Sequence, residues 1–231
     1  LPDQARPLIE QGLAVRQQLF GEDSAAVASS LYTLNQVYEK EGNLEVAEQL
    51  ASRSLALNQR QTGPASTATA ISLCRLGVIK KIRGGLAAAE QLLQSCLDIQ
   101  RARLGPHDAL NTIPLDNLAH IASQRGDSQL ARTYLAEALE IDRRTRSEEH
   151  PQYIRHLIRL AEVTHDLGET SEADALYRKV VALNQRVLGP EHPESIDTLS
   201  AFGTFLLETD RLAEAQKVLT TVLETNRRVR G

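Results

Sequence analysis

Residues 147–188 read SEEHPQYIRHLIRLAEVTHDLGETSEADALYRKVVALNQRVL, and residues 189–230 read GPEHPESIDTLSAFGTFLLETDRLAEAQKVLTTVLETNRRVR. Laid over one another, the two 42-residue stretches keep the same punctuation. His150-Pro151 and His192-Pro193 stand near each start, Gly168 and Asp210 midway, and Ala173 and Ala215 five residues later. Carried back along the chain, the register finds Gly21, Gly63, Gly105, Gly189 and Gly231 on a strict 42-residue period, with Ser147 in the one missing place. A second mark, Gly42, Gly84, Gly126, Gly168 and Asp210, follows each block start by 21 residues. A period of this length is the signature of a repeat architecture. The blocks are 21–62, 63–104, 105–146, 147–188 and 189–231, and residues 1–20 match the second half of a block.

Each block reads as helix, turn, helix. A mid-block glycine reaches the left-handed backbone that ends a helix and reverses the chain. Pro151 and Pro193 sit in a first helical turn, where the missing N–H costs nothing, and Leu104-Gly105-Pro106 and Leu188-Gly189-Pro190 are strong stops. First helices carry Leu-x-x-Leu-small: Leu31/Leu34/Asn35, Leu73/Leu76/Gly77, Leu115/Leu118/Ala119, Leu157/Leu160/Ala161 and Leu199/Phe202/Gly203. Second helices carry Ala47, Ala89, Ala131, Ala173 or Ala215, with Ala5 in the leading helix. Four residues on stand Ala51, Leu93, Leu135, Tyr177 and Leu219, then Ser54, Cys96, Ala138, Val180 and Val222, at helical i, i+4, i+7 spacing. Small residues let paired axes approach to about 8 Å. One such pair cannot hide its apolar face alone, so the blocks must stack.

Composition agrees. Hydrophobic residues are 42% of the chain and aromatics only 3%, so Leu, Ala, Val and Ile must build the core, which suits packed helices. A net charge of −4 lacks the basic excess of a nucleic-acid binder. No apolar run approaches the roughly 18 residues of a membrane helix, and no signal-peptide pattern opens the chain. Cys74 and Cys96 make neither a disulfide framework nor a metal set, and read as reduced thiols of a cytoplasmic protein. The chain has no Met, even at residue 1, and reads as a piece of a longer protein.

The quoted elements resemble the tetratricopeptide repeat (TPR), and the 42-residue spacing with Leu-Gly-Pro-Glu-His-Pro linkers (188–193) resembles its kinesin-light-chain-type subgroup. The resemblance covers the whole chain. It implies an all-α, α-solenoid fold, a right-handed superhelix of helix-turn-helix repeats, whose first helices line a concave face where ligands lie. The implied role is a protein–protein interaction scaffold, not an enzyme, binding a partner peptide or helix as part of a larger signalling or adaptor protein. Two alternatives stand beside it: end-to-end self-association, and a regulatory domain fused to an enzyme such as a kinase.

Helical projection puts Tyr32, Thr33 and Gln36; Cys74, Arg75, Val78 and Lys81; Asp116, Asn117 and His120; Arg155, Arg159, Glu162 and His165; and Ser200 and Thr204 in that groove. Arginine pairs bidentately with carboxylates, so the expected partner is a protein or peptide with acidic side chains. Asn117 is expected to hold a peptide backbone, as concave asparagines do in related arrays. The alternative reading is that these arginines form salt bridges to neighbouring Asp116 or Glu162 and keep the array soluble. No catalytic, cofactor or metal site is expected. Phosphate loops, nucleophile elbows and HExxH runs are absent, and His150 and His192 fall in separate repeats, too far apart for one ion. Two departures stand out. Lys80 replaces Tyr38 at a position facing the helix pair, beside Lys81 and Arg83, and Pro114 should kink the third first helix or delay its start to near Leu115.

Overall fold

In the computed structural model the described residues, 2–230, form eleven α-helices and one 3-10 turn; Gly231 lies outside them. The first helices are α2 (Ala25–Lys40), α4 (Thr67–Ile82), α6 (Thr112–Gln124), α8 (Pro151–Asp166) and α10 (Pro193–Glu208). The second helices are α1 (Pro2–Phe20), α3 (Leu44–Thr62), α5 (Leu86–Leu104), α7 (Ser128–Thr145), α9 (Thr170–Val187) and α11 (Leu212–Arg230). The chain divides into two compact units, 1–121 and 122–231.

Capping residues fix where helices begin. Ser24, Asn43, Ser66 and Asp127 each accept a hydrogen bond from the backbone N–H three residues on, a contact worth about 1 kcal/mol. His150 and His192 accept through Nδ1 from the backbone N–H two residues on, of Gln152 and Glu194, at 3.2 Å. These linker histidines are caps. The turns follow the glycines: Gly42, Gly84, Gly126 and Gly168 have φ near +80°, and Asp210 takes the same left-handed turn at φ 59°. At Ser147, where glycine is missing, α7 instead ends through an extended Arg146 (φ −138°, ψ −177°). Pro114 delays its helix as expected, but by less. The stretch Ala109–Asn111 is a 3-10 turn, α6 starts at Thr112, and Pro114 falls in the first turn, where no N–H is required.

In the first unit Val27, Ala28, Leu31 and Leu57 form one core cluster, and Ala47, Ala51, Leu76 and Ile79 another. The second unit has a cluster of Leu139, Tyr153, Ile154, Leu157, Val180 and Leu183, and one built on Tyr177, Phe202 and Phe205. Tyr177 and Phe205 have ring centroids 4.9 Å apart. At Gly77 and Gly203 the small residue of the first helix is a steric requirement. A Cβ on Gly77 would stand 2.8 Å from Leu93 Cγ, and one on Gly203 would stand 2.5 Å from Leu219 Cδ2. In the first block the sizes invert, with Asn35 on one helix and Ala51 on the other; there the Asn35 carboxamide donates to the Ala47 carbonyl.

A polar pair recurs at the seam between consecutive repeats, always fourteen residues apart. Arg16 Nη1 donates to Ser30 Oγ at 2.6 Å and Asn58 Nδ2 to Ser72 Oγ at 2.8 Å. His156 Nδ1 meets Asp142 Oδ2 at 2.7 Å, and Asn184 Nδ2 donates to Thr198 Oγ1 at 2.7 Å. The fifth pair of positions holds Gln100 and Pro114. Proline offers no side-chain donor, and Gln100, 2% exposed, leaves Oε1 buried without a partner. A buried orphan acceptor costs about 1–3 kcal/mol, so this seam is the weak one.

Candidate functional site: the first-helix face

Hollows line the first helices of both units, each lying between two consecutive ones and floored by the second helix between them. In the first unit, one of about 440 Å³ is bounded by Ser29, Tyr32 and Ile71 with Asn58 on its floor. Its neighbour, about 270 Å³, is bounded by Tyr32, Ile71, Val78, Leu110 and Ile113 over Gln100. Ile71, Leu110 and Ile113 are exposed, so these walls are greasy and open to solvent. In the second unit, one of about 360 Å³ is bounded by Arg155, Ile158, Glu162, Glu194 and Asp197 over Asn184. The last, about 270 Å³, is bounded by Glu162, His165, Asp166, Thr204 and Glu208 over Tyr177 and Phe205. The seam residues Asn58, Gln100 and Asn184 thus floor three of these hollows. Sequence reading missed them, although a polar residue at 58, 100, 142, 184 and 226 repeats on the 42-residue period and could have been found.

The expected groove residues separate into two groups. Tyr32 and Val78 border hollows of the first unit. Arg155, Glu162, His165 and Thr204 border hollows of the second. Gln36, Asp116, His120, Arg159 and Ser200 are half-buried on the same helices, and Thr33 is exposed. Two of the expected residues are buried, although Cys74, with Arg75, still lines the hollow over Gln100. Cys74 is buried, 6% exposed, against Cys96; contact with Cys96 and burial push its thiol up. Asn117 is 9% exposed, and both ends of its carboxamide are used: Oδ1 accepts from Lys81 Nζ at 2.7 Å, and Nδ2 donates to the Ile113 carbonyl at 2.8 Å. It is a buried amide bonded within the chain through both its oxygen and its nitrogen.

The cations that suggested an acidic partner are largely spent within the chain. Arg75 lies between Glu39 and the Asn35 carbonyl oxygen, with its side chain 16% exposed. Lys81 engages Asn117. Lys80, far from being an irregularity, joins Arg83 on Glu48 of the preceding repeat (Lys80 Nζ–Oε1 2.6 Å), and these hydrogen bonds hold the Glu48 carboxyl below its usual range. In the second unit the balance on this face turns acidic: Glu162, Asp166, Glu194, Asp197 and Glu208 stand against Arg155 and Arg159. Glu162 is exposed on this face, yet partial desolvation by neighbouring protein atoms lifts its carboxyl above the usual range, against the pull of Arg159.

Among the described residues no three His, Cys, Asp or Glu side chains gather in a metal-binding arrangement. None of the described helices is long and apolar enough to cross a membrane. Both cysteines are free.

Paired helices on a 42-residue register, small residues at each close approach and ligand-sized hollows between first helices define an α-helical repeat protein of the solenoid class. The tetratricopeptide repeat family model matches residues 1–59, 36–102, 109–185 and 158–228. The chain belongs to the tetratricopeptide repeat family. Its fold is similar to that of BtubC (BKLC) from P. vanneervenii, at 16% identity and TM-score 0.84, over 100% of this chain and 93% of that one. It is also similar to nearly identical TPR-like repeats of a kinesin light chain from Podosopora anserina, at 22% identity and TM-score 0.77, over 89% of this chain and 97% of that one. A third similar structure is YrrB, a TPR protein with an unusual peptide-binding site, at 13% identity and TM-score 0.58, over 93% and 92%. No curated protein matches by sequence.

Proposed function

We propose that the chain is an interaction module, acting by binding and not by catalysis, which takes a peptide or helix of a partner protein along the first-helix face of its units within a larger adaptor or signalling protein. One observation carries this reading: the hollows open between consecutive first helices, with exposed Ile71, Leu110 and Ile113 in one unit and exposed carboxylates in the other. A monomeric surface rarely keeps apolar side chains clustered around concavities without a binding role. The peptide-binding site named for YrrB, a structural neighbour, fits the same reading. The free buried cysteines suit a reducing compartment, the cytoplasm. The sequence expectation of an acidic partner is not retained, because Arg75 and Lys81 already have partners in the chain. The test is selection of binders from a random displayed-peptide library, followed by amide hydrogen exchange of the complexes. Protection concentrated in α2, α4, α8 and α10 is expected; protection confined to α3, α5, α7 and α9 would refute the reading.

A second reading is self-association through apolar side chains exposed on two helices: Leu19 (69% exposed) and Phe20 (62%) on α1, and Leu212 (58%) and Leu223 (51%) on α11. Light scattering across concentration decides it. Mass that climbs with concentration in the wild type but not in Leu19→Glu/Leu223→Glu supports self-association. A monomer at every concentration excludes it.

A further inference from the structure

We propose that the hollow bounded by Glu162, Asp166 and Glu208 over Tyr177 and Phe205 receives the arginine or lysine side chain of a partner polypeptide. The inference rests on the first-helix face being a binding surface and gives it a chemical class of ligand in the second unit.

Charge complementarity comes first. Three carboxylates border a space of about 270 Å³. Of these, Glu208 meets His165 Nε2 at 3.2 Å, and among the described residues neither Glu162 nor Asp166 closes an ion pair. Arg159 acts on Glu162 through space, and Asp166 opposes it. The three carboxylates line the same hollow as Tyr177. Burial lifts the Tyr177 phenol well above its ordinary range, and Glu162, Glu208 and Asp166 each lift it further, so the floor of the hollow sits in their common negative field. A positive charge placed there is attracted by all three.

Hydrogen-bonding capacity is the independent observation. Tyr177 is 4% exposed, lines the hollow, and its hydroxyl makes no hydrogen bond among the described residues. Its neighbour His165 brings Nε2 within 3.2 Å of Glu208, and its Nδ1 is buried without a partner. Buried polar atoms left unmatched call for an explanation. Here the unbonded Tyr177 hydroxyl and three carboxylates belong to the lining of one concavity. A guanidinium brings five N–H donors and an ammonium three, with no acceptor to clash. The floor also suits a cation, since the faces of tyrosine and phenylalanine attract positive charge. The same aromatic cluster already receives one: Arg178 stands over the Phe202 ring, 5.2 Å from its centroid.

The experiment uses the full chain and fluorescein-labelled peptides Gly-Ser-Ala-X-Ser-Ala-X-Ser-Ala-Gly, with X as arginine, citrulline, glutamate or leucine, followed by anisotropy at low salt. Citrulline keeps the shape of arginine and removes its charge. The arginine peptide should bind at least tenfold more tightly than the citrulline peptide. Glu162→Gln/Asp166→Asn should cost at least tenfold for arginine and nothing for leucine. Tyr177→Phe, which keeps the ring packing, should weaken arginine binding by about threefold. A control, Glu45→Gln/Glu224→Gln, removes two exposed carboxylates outside the hollow and should leave binding unchanged. Equal affinity of arginine and citrulline peptides, or equal loss in the control variant, overturns the proposal. So does arginine binding that survives Glu162→Gln/Asp166→Asn. If the leucine or glutamate peptide alone protects α8 and α10, the cation site falls while the first-helix reading stands. If the arginine peptide binds in the pattern expected but protects only the outer face of α9, the broader reading falls with it.

Discussion

Replacing Gln100 by methionine should stabilise this protein, whereas the like change at the equivalent position, Asn184→Leu, should destabilise it. Both residues are 2% exposed and occupy the same place in their repeats. Asn184 Nδ2 donates to Thr198 Oγ1 at 2.7 Å, while the matching position opposite Gln100 is Pro114, and Oε1 is orphaned. Removing an unmatched buried acceptor recovers part of its desolvation cost, about 1 kcal/mol, and methionine fills the same volume among Ile71, Val78 and Ile113. Removing a satisfied donor forfeits a hydrogen bond worth roughly 1 kcal/mol. For a chain of this size either change moves the melting temperature by about 2–4 °C. Urea unfolding followed by circular dichroism reads both as midpoint shifts at constant slope. If Gln100→Met destabilises the fold, or both substitutions shift the midpoint in the same direction by similar amounts, the seam argument is wrong.

Three further outcomes are expected. Gly203→Ala places a Cβ 2.5 Å from Leu219 Cδ2, and should cost about 1–3 kcal/mol by overpacking; pairing it with Leu219→Ala should recover part of the loss in a double-mutant cycle. Asp210→Gly removes a non-glycine residue from a left-handed turn (φ 59°) and should raise the urea midpoint by about 0.5–1 kcal/mol equivalent. Asp142 is fully buried; burial works to raise its carboxyl, but hydrogen bonds and attraction from His156 and then Arg146 outweigh it, so the net shift is downward. A carboxyl depressed in the folded state contributes stability at pH values above its unfolded value, about 3.9, that is lost as pH falls through the folded value. Stability measured from pH 6 downward should therefore drop below about pH 4, and Asp142→Asn should flatten that limb while lowering the neutral plateau; an unchanged acid limb would contradict the assignment.

Chemistry near the hollows was harder to read from sequence than the helices that carry it. Arg75, Lys81 and Asn117 were visible as groove candidates because their positions on a helical wheel depend only on local periodicity. Their partners were not visible. Glu39 lies 36 residues before Arg75, and Asn117 lies 36 after Lys81, so each pairing depends on how one repeat packs on the next. Cys74 illustrates the same gap. It falls on the expected face, and only its contact with Cys96 on α5 buries it.

What the sequence determined alone is the architecture: glycines and prolines set the turns, capping residues the starts, and alanine or glycine the close approaches. These are local preferences of backbone and side chain, repeated five times, and they need no knowledge of a neighbour. The tertiary structure decided which charges are neutralised, that Gln100 lacks a partner because position 114 is proline, and that three carboxylates line one hollow with Tyr177. Those facts are sums over groups brought together from different helices, and electrostatic fields and steric fit exist only once the helices have packed.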